Sequence, residues 1–168
     1  TIEVWANIGS TITAADSVKA VTTVSGVGAS SSVTSTTGAI DGQTIIAGAG
    51  TITATADASR PVASISDDAG TKTAAAFKFE AATDSYNITD LVFTIADVST
   101  VSKVKLYDGT TLVAQKDPST TVNFNGLAWN IPANTSKVLR VELDLGTVGV
   151  GSGTSGASTL VTLTSGIA

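Results

Sequence analysis

The chain has 168 residues, which fits one β domain of ordinary size or one domain with a long extension. Its net charge of −5 and its scattered Lys and Arg side chains exclude a nucleic-acid interface, because phosphate neutralisation requires clustered cations. The sequence contains neither Cys nor His, which excludes disulfides, thiolate or imidazole metal sites and His-dependent catalytic triads.

The composition is typical of an extracellular β protein. Charged residues make up only 14% of the chain, and 28 Thr and 19 Ser supply most of the polarity instead. β-branched Thr favours extended backbone because its χ1 angle is already restricted. The chain contains no Met and starts at Thr1, so we expect a processed N-terminus, most simply by removal of a secretory signal. No apolar run approaches the roughly 18 residues of a membrane span.

The N-terminal segment alternates between apolar and polar residues with a period of two. The apolar positions are Ile2, Val4, Ala6, Ile8 and Ile12. Fully extended, such a strand would measure about 40 Å, much longer than the mean strand of about five to six residues. A long terminal strand with one apolar face suits insertion into the open sheet of another copy, which predicts a homopolymer. The alternative is an ordinary first strand of its own domain, bent at Gly9.

The composition changes near residue 50. Residues 1–50 are rich in Thr, Ser, Gly and Ala, and we interpret them as an N-terminal extension that holds the donor strand and a Thr/Ser/Gly-rich segment. Within it, Ser25 to Gly38 predicts a loop or weak strands. Residues 51–168 contain most of the aromatic side chains and predict a compact β-sandwich module.

The module contains short β-branched runs separated by Gly, Asn, Asp and Pro, which predict strands rather than helices. The expected strands are Thr51–Ala56, Val62–Ser66, Ala74–Glu80, Ile88–Ile95, Val101–Tyr107, Thr111–Gln115, Thr121–Phe124, Val138–Leu145 and Ser158–Leu163. Asp108-Gly109 is a tight-hairpin signal, since Gly supplies the positive φ that such turns require. Val138 to Leu145 predicts a half-buried strand, with four apolar residues on one face and Arg140, Glu142 and Asp144 on the other.

Three segments resemble the immunoglobulin-like modules that occur in tandem in large bacterial and archaeal surface proteins. They are AAAFKFEAATDSYNITDLVFTI, VSKVKLYDGTTLVA and FNGLAWNIPANTSKVLRVELDL, and together they cover roughly Ala74 to Leu145. The resemblance implies an immunoglobulin-like or jelly-roll-like β-sandwich with an architectural or adhesive role. It carries no catalytic residues.

Several side chains are candidates for modification or binding. Asn87-Ile88-Thr89 and Asn134-Thr135-Ser136 fit the N-glycosylation pattern at Asn87 and Asn134. Asp67-Asp68 would contribute oxygens to a calcium site, but no EF-hand or regular Asp-Gly repeat supports one, and solvation of a loop is the preferred explanation. Trp5 and Trp129 are expected to be packing residues, with a sugar-binding platform as the alternative.

These observations predict a structural protein and not an enzyme, with no cofactor and no metal. We expect an extracellular filament subunit that polymerises head-to-tail with copies of itself through its N-terminal strand. The alternatives are an S-layer or adhesin module that contacts other surface proteins or glycans, or a carbohydrate- or cell-wall-binding domain. Self-assembly without a ligand would favour the first, and a monomer with an exposed aromatic platform would favour the last.

Overall fold

A computed structural model describes residues 3–5, 16–61, 70–147 and 158–167 of the chain. Strands account for 66% of these residues, and this part of the chain contains no helix, so the predicted all-β class is confirmed. The chain divides into two compact units, Thr1–Ala49 and Gly50–Ala168.

In the first unit, residues 16–47 form a long β-hairpin, referred to below as the N-terminal hairpin. Its strands are β1 (Ser17–Thr22), β2 (Ser25–Val27), β3 (Thr34–Thr36) and β4 (Ile40–Ile46). β1 pairs antiparallel with β4, and the shorter pair β2–β3 is nested between them. The Thr37 N–H donates to the Val24 carbonyl at 2.8 Å, which joins the two pairs into one ribbon. The weak strands expected within Ser25–Gly38 are confirmed, whereas β1 and β4 had not been predicted.

A bulge interrupts the outer pair of this hairpin. The register shifts between Lys19 and Val21, opposite Gly42. A Cβ atom on Gly42 would lie 2.9 Å from the Ala20 carbonyl oxygen, so only glycine permits the two backbones to approach this closely.

The described residues of the second unit, the module, form eight strands in two antiparallel sheets. The strands are β5 (Thr51–Ala56), β6 (Gly70–Ala82), β7 (Tyr86–Ile95), β8 (Val101–Asp108), β9 (Thr111–Lys116), β10 (Thr121–Ile131), β11 (Thr135–Leu145) and β12 (Val161–Ile167). One sheet has the order β5-β6-β11-β8-β9 and the other the order β10-β7-β12. The two sheets enclose one apolar core, which gives the module a β-sandwich-like architecture.

Aromatic side chains from both sheets meet in this core. Phe77 and Phe79 of β6 contact Phe93 of β7 and Trp129 of β10, with ring centroids 5.8 Å and 5.1 Å apart. Phe93 also packs edge-to-face against Phe124. Aromatic pairs of this geometry contribute roughly 0.5–1.5 kcal/mol beyond the burial of their area. The phenylalanines of β6 therefore pack the five-stranded sheet against the three-stranded sheet.

The tight hairpin predicted at Asp108-Gly109 is confirmed. It joins β8 to β9, with Asp108 opposite Thr111, and Gly109 has a φ of +59°. The predicted faces of β11 are also confirmed, because Leu139, Val141 and Leu143 are buried beneath the more exposed Arg140, Glu142 and Asp144.

Other strand boundaries differ from the prediction. β6 begins at Gly70, because β11 continues to Leu145 and pairs with it there. β10 does not stop at Phe124: Gly126, with a φ of +70°, forms part of an irregularity after which the ladder resumes. β12 begins at Val161 rather than Ser158, since the residues before it bond to the loop that follows β7. The expected strand Val62–Ser66 lies outside the described residues.

Candidate self-assembly site

Of the predicted donor strand, the structure describes only residues 3–5. Val4 is 71% exposed there, and Trp5 is 87% exposed. The expectation that Trp5 is a packing residue is therefore wrong for the single chain. The other donor positions, Ile2, Ala6, Ile8 and Ile12, lie outside the described residues.

The module has an uncovered inner face at β5. In the ladder with β6, Ile52, Ala54 and Ala56 stand opposite Ala81, Phe79 and Phe77. Those three partners belong to the core or pack against it, so the same face of β5 also points toward the interior side of the sheet. Nevertheless Ile52 is only half-buried, and Ala54 and Ala56 are exposed.

The reason is a difference in width between the two sheets. On one side of the module, β9 and β10 lie side by side, so the edges of the two sheets approach each other. On the other side, β12 contacts β6 across the core, and the five-stranded sheet continues by one further strand, β5. Among the described strands, none covers the inner face of β5.

The edge of the narrower sheet is open at the same place. β12 pairs with β7, with Val161 opposite Ile95 and Leu163 opposite Phe93, and no described strand pairs with its other edge. An unpaired edge presents backbone N–H and C=O groups that can pair with another strand. We call the open edge of β12 together with the inner face of β5 (Ile52, Ala54, Ala56) the acceptor groove.

The chemistry of the acceptor groove fits an extended apolar strand. A fourth strand placed beside β12 would lie over β5, and every second side chain would point toward it. The methyl groups of Ala54 and Ala56 leave space for larger aliphatic side chains. Phe77 and Leu163, both half-buried, pack against the core. An alternating strand with small or aliphatic inward residues therefore matches both the hydrogen-bonding edge and the apolar floor.

Trp129 is not a binding platform, since it is a buried core residue. It is only 4% exposed, and its Nε1 atom donates to Asp108 Oδ2 at 2.9 Å. Lys137 Nζ donates to the same oxygen at 3.0 Å. Burial alone would raise the pKa of Asp108, but the bonds from Trp129 and Lys137 outweigh it and hold this pKa below its ordinary value. The expectation that Trp129 packs in the core is confirmed.

The two glycosylation candidates differ in their surroundings. Asn87 is exposed in β7, next to buried Ile88. Asn134 has a φ of +56°, and its Oδ1 accepts a hydrogen bond from the Thr83 N–H at 3.0 Å. Thr83 itself has a φ of +72°, so this bond joins two left-handed turns. The Asn134 side chain thus has a structural role, and glycosylation at either position stays a prediction.

Asp67 and Asp68, the calcium candidates, lie outside the described residues. Within the described ranges, no group of three or more Asp or Glu side chains is placed to hold a metal ion. In the same ranges no helix is long and apolar enough to cross a membrane.

No protein-family model, no curated protein and no solved structure matches this chain significantly.

Proposed function

We propose that this chain is the structural subunit of an extracellular surface filament and that its module is an immunoglobulin-like or jelly-roll-like sandwich. In this proposal the N-terminal strand of one subunit fills the acceptor groove of the next, so that the subunits polymerise head-to-tail. The observation that carries the proposal is the inner face of β5, which points to the interior side of its sheet and is exposed at Ala54 and Ala56.

The apolar energy available to such a joint is of the same order as the cost of association. Each buried aliphatic side chain contributes about 1.5–3 kcal/mol, so the four larger donor residues (Ile2, Val4, Ile8, Ile12) together contribute on the order of 6–12 kcal/mol. Association costs of about 4–15 kcal/mol oppose this gain. A strand ladder along β12 adds backbone hydrogen bonds of about 0.5–1.5 kcal/mol each. The hydrogen bonds of the ladder therefore decide the stability of a joint that has no covalent link.

The carbohydrate-binding alternative has less support. Such a module needs an exposed aromatic platform, and Trp129 is buried with its indole N–H bonded to Asp108. Trp5 is exposed, but it is a single aromatic side chain in the segment that this proposal assigns to assembly. An S-layer or adhesin module has the same sandwich architecture, but it does not require an uncovered inner face at β5.

Assembly of the full chain, followed by negative-stain electron microscopy, tests the donor strand. Ile8→Asp would place a charge on the apolar face of the strand and is expected to abolish filaments, because burying an unpaired charge costs several kcal/mol. Asn7→Asp is the matched control, since it introduces the same charge on the opposite face. A chain without residues 1–14 that still formed filaments as readily as the full chain would refute the donor role.

The acceptor groove is tested by filling it. Ala56→Trp would occupy the inner face of β5 and is expected to block assembly, whereas Thr55→Trp lies on the outer face, opposite Lys78, and is expected to leave assembly unchanged. The two variants should have similar melting temperatures, because both positions are exposed. Equal assembly of both variants would place the subunit contact elsewhere.

A further inference from the structure

The exposed aliphatic side chains are concentrated in the N-terminal hairpin. The described part of the module has only two large apolar side chains that are mainly exposed, Leu112 and Leu160. The hairpin has eight: Val18, Val21, Val24, Val27, Val33, Ile40, Ile45 and Ile46. A free two-stranded hairpin is marginally stable in water, so this ribbon requires a partner to bury part of its apolar surface.

The two faces of the outer pair of the hairpin differ. On one face Val18 stands opposite Ile45 and Thr22 stands opposite Ile40, with Ala20 between the two pairs. The register places Gln43 on this face too, opposite Ala20. The set Val18, Ala20, Thr22, Ile40 and Ile45 is called the apolar face, and neither it nor Gln43 carries an ionisable side chain.

The opposite face contains an ion pair. Lys19 Nζ lies 2.8 Å from Asp41 Oδ2 there, beside Val21, Thr44 and Ile46. We call it the ionic face.

We propose that the apolar face of the hairpin binds the same face of a second copy of this chain, with the two ribbons antiparallel about a two-fold axis near Ala20. Each copy then supplies one two-stranded sheet of a small β-sandwich, and the aliphatic side chains of the two sheets interdigitate. This contact is distinct from the donor strand, because it uses residues 18–45 and not residues 1–14.

Two surfaces could bind the apolar face: a second copy of the hairpin, or the outer surface of the five-stranded sheet. Electrostatics favour the second copy of the hairpin. That surface is occupied by ion pairs, including Lys105 with Asp144 at 2.6 Å and Lys78 with Glu80 at 3.0 Å, and an apolar ribbon would strip water from them. Two apolar faces bring no charges together. Asp16 precedes the ladder at the base of the hairpin, and an antiparallel arrangement places the two Asp16 residues at opposite ends of the contact.

The available area makes a single contact weak. With the two-fold axis near Ala20, the ribbons overlap from about residue 16 to residue 24, roughly 26 Å by 10 Å, so each copy presents roughly 260 Å² and a pair buries at most about 520 Å² in total. Stable interfaces bury about 1,200–2,000 Å². Repetition along a filament strengthens such a contact, since each further pair forms at a high effective concentration. This part of the inference rests on the proposed function and predicts that filaments associate laterally into bundles.

Because the chain contains no Cys, a single engineered thiol reports on one face. Ala20→Cys places it on the apolar face, and Thr44→Cys places it on the ionic face of the same hairpin. With a short bismaleimide, the full-length Ala20→Cys chain is expected to form covalent dimers at least about tenfold faster than Thr44→Cys. Equal rates, faster dimers from Thr44→Cys, or no dimers from either chain would overturn the inference.

Two adjacent isoleucines provide the second test. Ile45→Lys introduces like charges on the two facing copies and is expected to reduce Ala20→Cys cross-linking at least about tenfold and to separate bundled filaments. Ile46→Lys adds the same charge to the ionic face and is expected to change neither. An equal loss with both variants would contradict a face-specific contact.

The two proposals fail separately. Ile8→Asp is directed only at strand insertion, and the ratio of Ala20→Cys to Thr44→Cys cross-linking is expected to persist in that background. If the Ile8→Asp chain still polymerises, the donor-strand proposal is wrong. The ratio of Ala20→Cys to Thr44→Cys cross-linking still tests the hairpin contact in that case. If the ratio is unity in filaments that depend on Ile8, the hairpin contact is wrong and strand insertion stands.

Discussion

The N-terminal hairpin and the module are both antiparallel β structures with many β-branched residues, yet only the module has a core. In the module, Phe93 and Leu91 are fully buried, because a second sheet covers the first. In the hairpin, every residue from Asp16 to Ile46 is exposed, including isoleucines that would be core residues elsewhere. The comparison shows that pairing of strands satisfies the backbone, whereas burial of side chains requires a second layer.

In the burial of its side chains, β5 is intermediate between these two regions. It belongs to the five-stranded sheet, but the narrower sheet does not reach over it, and Ala54 and Ala56 are exposed. The chain thus has two kinds of unpartnered β surface: an interior face without a cover in the module, and an apolar ribbon in the hairpin. The two proposals of self-association each assign a partner to one of these surfaces.

The largest expected contrast between the two regions comes from truncating one side chain in each. Phe93→Ala removes a fully buried ring that packs on Phe77 and Phe124 and is expected to lower the free energy of unfolding by about 3–5 kcal/mol. Ile45→Ala in the hairpin is expected to change it by less than about 0.5 kcal/mol. Urea denaturation followed by tryptophan fluorescence, in which buried Trp129 reports on the module, measures both values. A similar loss for both variants would mean that the hairpin belongs to the core.

A smaller effect is expected at the buried polar contact of the module. Asp108→Ala leaves the buried Trp129 Nε1–H without its acceptor and is expected to cost about 1–3 kcal/mol. Asp108→Asn retains an oxygen at the same position and should recover part of this loss. Thermal unfolding of the two variants provides the measurement, and equal losses would indicate that charge rather than hydrogen bonding matters at this site.

Acid should reduce the stability of the module, because carboxyl groups with lowered pKa values belong to it, Asp144 among them. Asp144 accepts hydrogen bonds from Lys105 and Thr71, and these hold its pKa below the ordinary value of 3.8. A lowered folded-state pKa contributes stability that is present above the unfolded value and is lost as the pH falls through the folded one. The melting temperature of the module should therefore decrease as the pH drops below about 4.

Asp144→Asn is the control for this acid effect. It removes the titrating group, so it should weaken the dependence of the melting temperature on pH while lowering the melting temperature near neutrality. An unchanged acid slope in this variant would assign the loss to the other carboxylates.

The smallest effect is expected from the ion pair of the hairpin. Lys19 and Asp41 are joined at 2.8 Å, but their side chains remain 41% and 62% exposed. Exposed pairs contribute about 0–1 kcal/mol, so Asp41→Asn should leave the unfolding of the module unchanged. Hydrogen exchange of the β1 and β4 amides is the sensitive measurement, and faster exchange in this variant at low salt would reveal any contribution of the pair.

Several features of the fold followed from the sequence. Alternation over Val138–Leu145 predicted which side of β11 is buried, because a strand places successive side chains on opposite faces. Asp108-Gly109 predicted a tight turn, because glycine adopts positive φ without strain. Composition alone separated an aromatic-poor N-terminal segment from the module. These features depend on local stereochemistry, which neighbouring residues in the sequence determine.

Other features depended on residues far apart in the chain. β1 and β4 were missed because their apolar residues do not alternate regularly and a bulge at Gly42 interrupts the register; their pairing joins partners 18 to 29 residues apart. β10 continues past Asn125-Gly126 because β7 supplies the partner strand, although the sequence there indicates a turn. The exposure of Ala54 and Ala56 follows from the three-stranded sheet ending at β12. How far one sheet covers another is decided by tertiary packing, and no pattern within β5 itself encodes it.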